Sequence, residues 1–339
     1  MRHILAADIG GTNTRIALSS IDNPQSIIHY KHLKTSTIQK LEITLLGFLQ
    51  EAGITGDSIG ECIIACAGPV HNNSCSLTNS NLHISAKTIT LATGITNVQL
   101  INDMQASAER IAEHLPRISK EKVIQNIDDA KYILLQDNYA NAIEYPDRGV
   151  AMIIQAGTGY GLATLLTSKS SSILLSSESD HFPYAPYTQE EYEYYEYLRK
   201  KDNMITIGKI LRNTGLYEYA RFIGCKASTP EEVSLTYDDD VRAREAVHYY
   251  LKAHARYTAH FCNVFLPYRG VFITGNALTT NIKGILNSDY IGVMKTHLKL
   301  STLQNIPVYL VEEHNINLKG ALSLGKSKIE SKKKIIVME

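Results

Sequence analysis

Leu5-Ala6-Ala7-Asp8-Ile9-Gly10-Gly11-Thr12-Asn13-Thr14-Arg15-Ile16-Ala17-Leu18 decides how the rest of this chain is read. An apolar run enters a tight turn around one acidic residue and two glycines. A second apolar run leaves it with no helical pattern between them, which predicts a β-hairpin. Adjacent glycines permit positive φ and close approach of the backbone to a ligand, and Thr12 and Asn13 add polar side chains beside them. Two readings fit this turn equally. It is a phosphate cradle, with Asp8 satisfied by hydrated magnesium carried on a nucleotide, or an ordinary hairpin turn with a solvated aspartate.

The second half of the chain bears on that choice. Residues 150–155 are apolar and enter Ala156-Gly157-Thr158-Gly159-Tyr160-Gly161, and residues 162–166 leave as another apolar run. The form repeats the first: strand, glycine- and threonine-containing turn, strand. Two such hairpins imply two related sheets that face one phosphate chain.

Composition narrows the class. The 339 residues carry 34 Lys+Arg against 34 Asp+Glu, with 44% hydrophobic and 20% charged residues. That is an ordinary globular balance, long enough for about two domains. A net charge of zero disfavours nucleic acid or an anionic membrane as partner, and the basic run 326–334 reads as a frayed, solvated end. No apolar run is long enough to span a bilayer, and Met1-Arg2-His3 leads straight into a strand, leaving no room for a signal peptide. Cys62, Cys66, Cys75, Cys225 and Cys262 show no C-x-x-C spacing, and their odd number argues against a disulfide framework. A reducing, cytoplasmic setting is expected.

Between the hairpins, residues 36–52 place apolar side chains at three- and four-residue steps before Gly53, predicting an amphipathic helix with a glycine stop. Residues 62–67 and 98–101 read as strands. The second ends at Asn102-Asp103, where a helix begins that stops at Pro116; this strand-to-helix junction is where alternating α/β folds hold ligands, although an N-cap alone explains the aspartate equally well. Residues 117–148 read mostly as surface excursion, with one possible strand at 132–135. Residues 189–201 form a tyrosine-crowded helix suited to packing or an oligomer contact, and Asp238-Asp239-Asp240 opens a long helix on which His248, His254 and His260 read as helix residues and not metal ligands. Strands are expected at 271–274 and 308–311, with a closing helix from Leu318.

In this order the motifs resemble bacterial-type glucokinases, within the sugar kinase and actin superfamily of ATPases. The resemblance runs over nearly the whole chain and rests on residues 8–15, Thr78-Asn79, Ile101-Asn102-Asp103, residues 156–161, the block Glu178-Ser179-Asp180-His181, residues 270–275 and Ile306-Pro307-Val308-Tyr309-Leu310. It implies an α/β fold of two ribonuclease-H-like domains (the actin-like ATPase fold) flanking a central cleft. The expected boundaries are 1–105 with about 318–334, then 106–317, with 335–339 as a tail. It further implies transfer of a phosphoryl group from ATP, with Mg²⁺, to the 6-hydroxyl of a hexose, glucose by default, and a homodimer. Gly10, Gly11, Thr12, Asn13, Gly157, Thr158 and Gly159 would hold the phosphates, and Gly275 with Asn276 would approach the adenosine. Asp8 would meet the metal through water. Asn79, Asn102, Asp103, Glu178 and His181 would contact the sugar, with Asp103 also the general base.

The departures lie on the sugar side. The family's Glu-Gly-Gly-His block carries Ser179 and Asp180 in place of its glycines, and Gly208 stands where the family has a sugar-contacting glutamate. Loss of one hydrogen bond to a charged group costs about 1.5–3 kcal/mol, roughly 10- to 100-fold in binding. Leu82 replaces a tryptophan and Asn276 a glycine. The alternative reading is therefore a catalytically silent or altered-specificity relative that binds nucleotide or another sugar, the charge of Asp180 favouring an amino sugar. No cysteine-rich zinc motif and no amino-terminal DNA-binding helix pair is expected.

Overall fold

The computed structural model of the chain describes residues 3–77, 81–119, 122–136, 148–168 and 172–338. In chain order the elements are β1 (His3–Ile9), β2 (Asn13–Ser20), β3 (Ile27–Lys34), α1 (Leu41–Glu51), β4 (Ile59–Cys66), β5 (Val70–His71), β6 (Ser74–Ser76), β7 (His83–Ser85), α2 (Ala86–Thr93), β8 (Val98–Asn102) and α3 (Asp103–His114). They continue as β9 (Ile124–Ile127), β10 (Ala130–Leu134), β11 (Gly149–Ala156), β12 (Tyr160–Thr167), β13 (Ser172–Ser177), α4 (Gln189–Arg199), α5 (Ile207–Leu211), α6 (Asn213–Phe222), α7 (Pro230–Leu235), α8 (Val241–Phe265), β14 (Val271–Thr274), α9 (Asn276–Thr279), α10 (Ile282–Asn287), α11 (Tyr290–His297), β15 (Val308–Glu312) and α12 (Ile316–Met338).

Two compact units result, residues 1–116 with 314–339 and residues 117–313. In the first, a sheet runs in the order β3-β2-β1-β4-β8, with β1, β4 and β8 mutually parallel, and β5-β6-β7 form a separate small sheet. β1 shows why one short segment organises the unit. Leu5, Ala7 and Ile9 enter one core cluster with residues of α1 and α2, while Ile4 and Ala6 enter another with Leu318, Ala321 and Leu322 of α12. Alternate side chains thus bury both faces, each large one contributing about 1.5–3 kcal/mol. α3 stays with this unit by packing on α12, where a Cβ on Gly320 would lie 1.7 Å from the Ala106 carbonyl oxygen.

In the second unit the described strands run β13-β12-β11-β14-β15-β10-β9, with β11, β14 and β15 parallel. α8 lies in its main cluster, started by Asp240, whose Oδ1 accepts from Arg242 N at 2.8 Å and Ala243 N at 3.4 Å. The tyrosine-rich α4 is a packing helix: Tyr194 is buried against Tyr219, Phe222 and Tyr249.

Three sequence expectations need correction. The described residues between 117 and 136 are not mainly surface excursion: the possible strand at 132–135 is found as β10, which joins the sheet against β15 with Tyr132 wholly buried, and β9 pairs with it. Alternation of apolar residues in β9 is short, which hid its signal. The first helix begins at Leu41, since Lys40 is extended and residues 35–37 form a separate 3₁₀ turn. The basic end is not frayed, because α12 continues to Met338 and buries Ile329.

Candidate active site

In the first unit, the register of β1, β4 and β8 sets Ile9, Cys66 and Asn102 side by side. The Gly10–Asn13 turn and the Asn102-Asp103 junction therefore leave the same end of one sheet, the carboxyl end of its parallel strands. The turn is closed by Gly10 N donating to Asn13 O at 2.9 Å. Thr35 clamps it from β3's far end: its Oγ1 donates to Gly10 O at 2.7 Å and its N to Thr12 O at 3.0 Å. Asn13 Oδ1 accepts from Lys34 Nζ at 3.4 Å, which brings a cation to the turn.

Asp8 is buried at the end of β1, opposite Arg15 across the hairpin. Arg15 donates to Asp8 Oδ2 at 3.3 Å and Asn317 Nδ2 donates to Oδ1 at 3.4 Å. Asn317 is itself held by Ser107, whose Oγ donates to Asn317 Oδ1 at 2.5 Å. Burial pushes the Asp8 carboxyl above the ordinary carboxylate range, and Arg15 and Asn317 offset only part of that. Asn102 caps α3 by accepting from Met104 N at 2.9 Å and donates to Gly68 O at 3.2 Å. Asp103 is the first residue of α3, part-exposed, with its Oδ1 also accepting from Met104 N at 2.9 Å.

In the second unit, the Gly157–Gly159 turn leaves β11 at the end where β14 delivers Gly275. The two approach so closely that a Cβ on Gly275, whose φ is 97°, would lie 2.2 Å from Ala156 O. Asn276 opens α9 in helical conformation, so the glycine expected there is not needed; its Oδ1 lies 3.9 Å from a Cβ built on Gly157. Asn213 N at the start of α6 donates to Gly157 O at 2.8 Å. Thr158 and Gly159 are exposed at the tip.

The Glu178–His181 block adjoins the same turn, because Asp180 Oδ1 accepts from Tyr160 N at 3.2 Å. Residues 179–181 form a 3₁₀ turn, and neither Ser179 nor Asp180 has positive φ, so their replacement of glycine imposes no backbone strain. Glu178 and His181 are exposed. Asn79 lies outside the described residues.

Sequence reasoning missed Lys34, Thr35 and Asn317. Thr35 and Asn317 act from 25 and 309 residues away, so no local pattern announces them. Among the described residues no cluster of three metal-ligating side chains occurs and no helix is long and apolar enough to cross a membrane.

Known proteins resemble this chain over nearly its whole length. A family model described as glucokinase matches residues 5–328. The glucokinase of Yersinia enterocolitica is 24% identical over 328 residues, covering 94% of this chain and 95% of the relative. Among solved structures, a glucokinase from an Antarctic psychrotroph aligns with a TM-score of 0.74 at 21% identity over 96% of this chain and 98% of its own. A Balamuthia mandrillaris glucokinase in complex with glucose gives 0.75 at 17% identity over 96% and 94%.

Proposed function

The chain belongs to the glucokinase family, and from that premise we propose that it transfers the terminal phosphoryl group of ATP to the 6-hydroxyl of glucose or a related hexose. One observation carries the reading: the register of β1, β4 and β8 puts the Gly10–Asn13 turn and Asp103 at one end of one sheet. Phosphoryl transfer needs little more than a positioned hydroxyl, a base, and donors for the phosphoryl oxygens.

Each residue then has a task. Asp103 accepts the proton of the attacking hydroxyl, and Asn102, Asn79, Glu178 and His181 orient the sugar. The Gly10–Asn13 and Gly157–Gly159 turns hold phosphate oxygens through the N–H groups that do not close the turns, Lys34 adds charge near the first turn, and Gly275 with Asn276 lies against the adenosine. A magnesium ion bound with the nucleotide would supply charge neutralisation of the phosphates. Asp8 is the residue that would meet it through water, because one buried carboxylate suits a metal that keeps most of its ligands as water and phosphate. A cytoplasmic setting belongs to the same proposal and is supported by the family. Homodimerisation is part of the same proposal.

The test is ADP release across a panel of hexoses with Mg²⁺. Asp103→Asn is expected to lower kcat about 10²- to 10⁴-fold with an unchanged Tm; unaltered turnover would remove Asp103 as base. The absent side chain at Gly208 favours a second reading, a silent or altered-specificity relative. In that case ATP raises the Tm while glucose supports no ADP release.

A further inference from the structure

Asp180 and Gly208 are a matched pair. A Cβ on residue 208 would lie 1.9 Å from Asp180 Oδ1 and 2.6 Å from Oδ2, so a side chain at 208 would displace this carboxylate from its position. Their segments are joined by backbone hydrogen bonds: Ile207 N donates to Phe182 O at 2.8 Å and Tyr184 N to Ile205 O at 2.9 Å. The carboxylate is anchored at Oδ1 by Tyr160 N, one residue beyond the Gly157–Gly159 turn, and it stands between Glu178 and His181 in sequence. Oδ2 has no hydrogen-bond partner among the described residues.

Resting on the hexose-kinase reading, we propose that Asp180 supplies from the 179–181 turn the carboxylate contact to the sugar that α5 does not provide, and that glycine at 208 is the space admitting it. An acceptor-only group there suits a hexose presenting a hydroxyl or ammonium donor and rejects an anionic sugar. The acidic group has moved from helix to turn, which makes residue 180 a determinant of specificity in this chain.

A double-mutant cycle tests this, read by hexose KM and, independently, by the Tm rise that glucose or glucosamine induces in the full chain. Asp180→Gly is expected to raise the hexose KM about 10- to 100-fold. Gly208→Glu alone forces two carboxylates into one volume and raises it at least as much. The double variant Asp180→Gly/Gly208→Glu returns KM to within about threefold of the parent, far from additive. Asp180→Asn can keep the Tyr160 contact, so it leaves the Tm unchanged yet raises the hexose KM about tenfold; this variant decides the matter should Gly208→Glu not fold.

An additive cycle, or Asp180→Asn with unchanged KM and unchanged sugar-induced Tm rise, overturns the proposal. Asp180-dependent sugar binding without ADP release overturns the kinase reading alone. A parent protein that neither turns over nor gains stability with either sugar overturns both.

Discussion

Asn317 reaches Asp8 across 309 residues of sequence, its Nδ2 3.4 Å from the carboxylate, while Arg15 holds the other oxygen at 3.3 Å. The helix that closes the chain therefore helps to support the acidic residue of the opening hairpin. The support is incomplete, since burial still leaves the Asp8 carboxyl raised from its ordinary value of 3.8.

The sign of the consequence follows from proton linkage. With the folded-state value above the unfolded one, Asp8 contributes stability that is fully present below about 3.8 and lost as pH rises through the folded value. Ionised Asp8 is thus a net cost at neutral pH. Asp8→Asn is expected to raise the Tm at pH 7, with the gain shrinking toward pH 3, and to lower kcat about 100-fold. Thermal melts across that range check it; a lower Tm at pH 7 would contradict the balance of burial over pairing.

Gly275→Ala tests the close approach of two strand ends. The new Cβ would meet Ala156 O at 2.2 Å on a backbone with φ of 97°. The expected loss is about 1–3 kcal/mol in denaturant unfolding, together with a raised KM for ATP and little change in the KM for hexose.

Glu191 and Arg256 form a buried ion pair, with Arg256 Nη1 2.7 Å from both carboxylate oxygens and side-chain exposures of 8% and 5%. Glu191→Ala leaves an uncompensated buried guanidinium and is expected to cost about 3–5 kcal/mol, whereas Glu191→Met with Arg256→Met recovers most of it. Equal destabilisation by the single and double variants would show that the two charges are not coupled.

His254 is wholly buried, its Nδ1 2.7 Å from the Tyr290 hydroxyl, and burial pushes its pKa down to about 3. A lowered folded-state value means that the unfolded chain binds the extra proton between about 6.5 and 3, so stability falls as pH falls through that window. His254→Gln should flatten the pH dependence there by up to about 1.4 kcal/mol per pH unit. Parallel stability curves for the two proteins would rule the effect out.

Much of the site was legible because it is built from local chemistry. The first hairpin, the second hairpin and the Asn102-Asp103 junction each announce themselves through a period of two, paired small residues and an N-cap within about ten residues. Gly275 is legible for the same reason, as a glycine at a strand end. β10 was legible only as a possible strand at 132–135, and β9 not at all, because its strand character comes from pairing with β10 and not from its own short run. Ser179 and Asp180 stand where the family has glycines, and they lie in a 3₁₀ turn without positive φ, which any residue adopts.

What the sequence alone determined is the two glycine-turn hairpins, the parallel strands beside them and the acidic residues at their ends, since turn type and burial period depend on neighbours a few positions away. What only the tertiary structure decided is which distant side chain meets each of them. Thr35 on the Gly10 carbonyl, Asn317 on Asp8, and the Asp180 carboxylate filling the space over Gly208 are products of sheet register and helix packing. Such contacts are selected by close packing of the whole unit, and no short stretch of chain encodes them by itself.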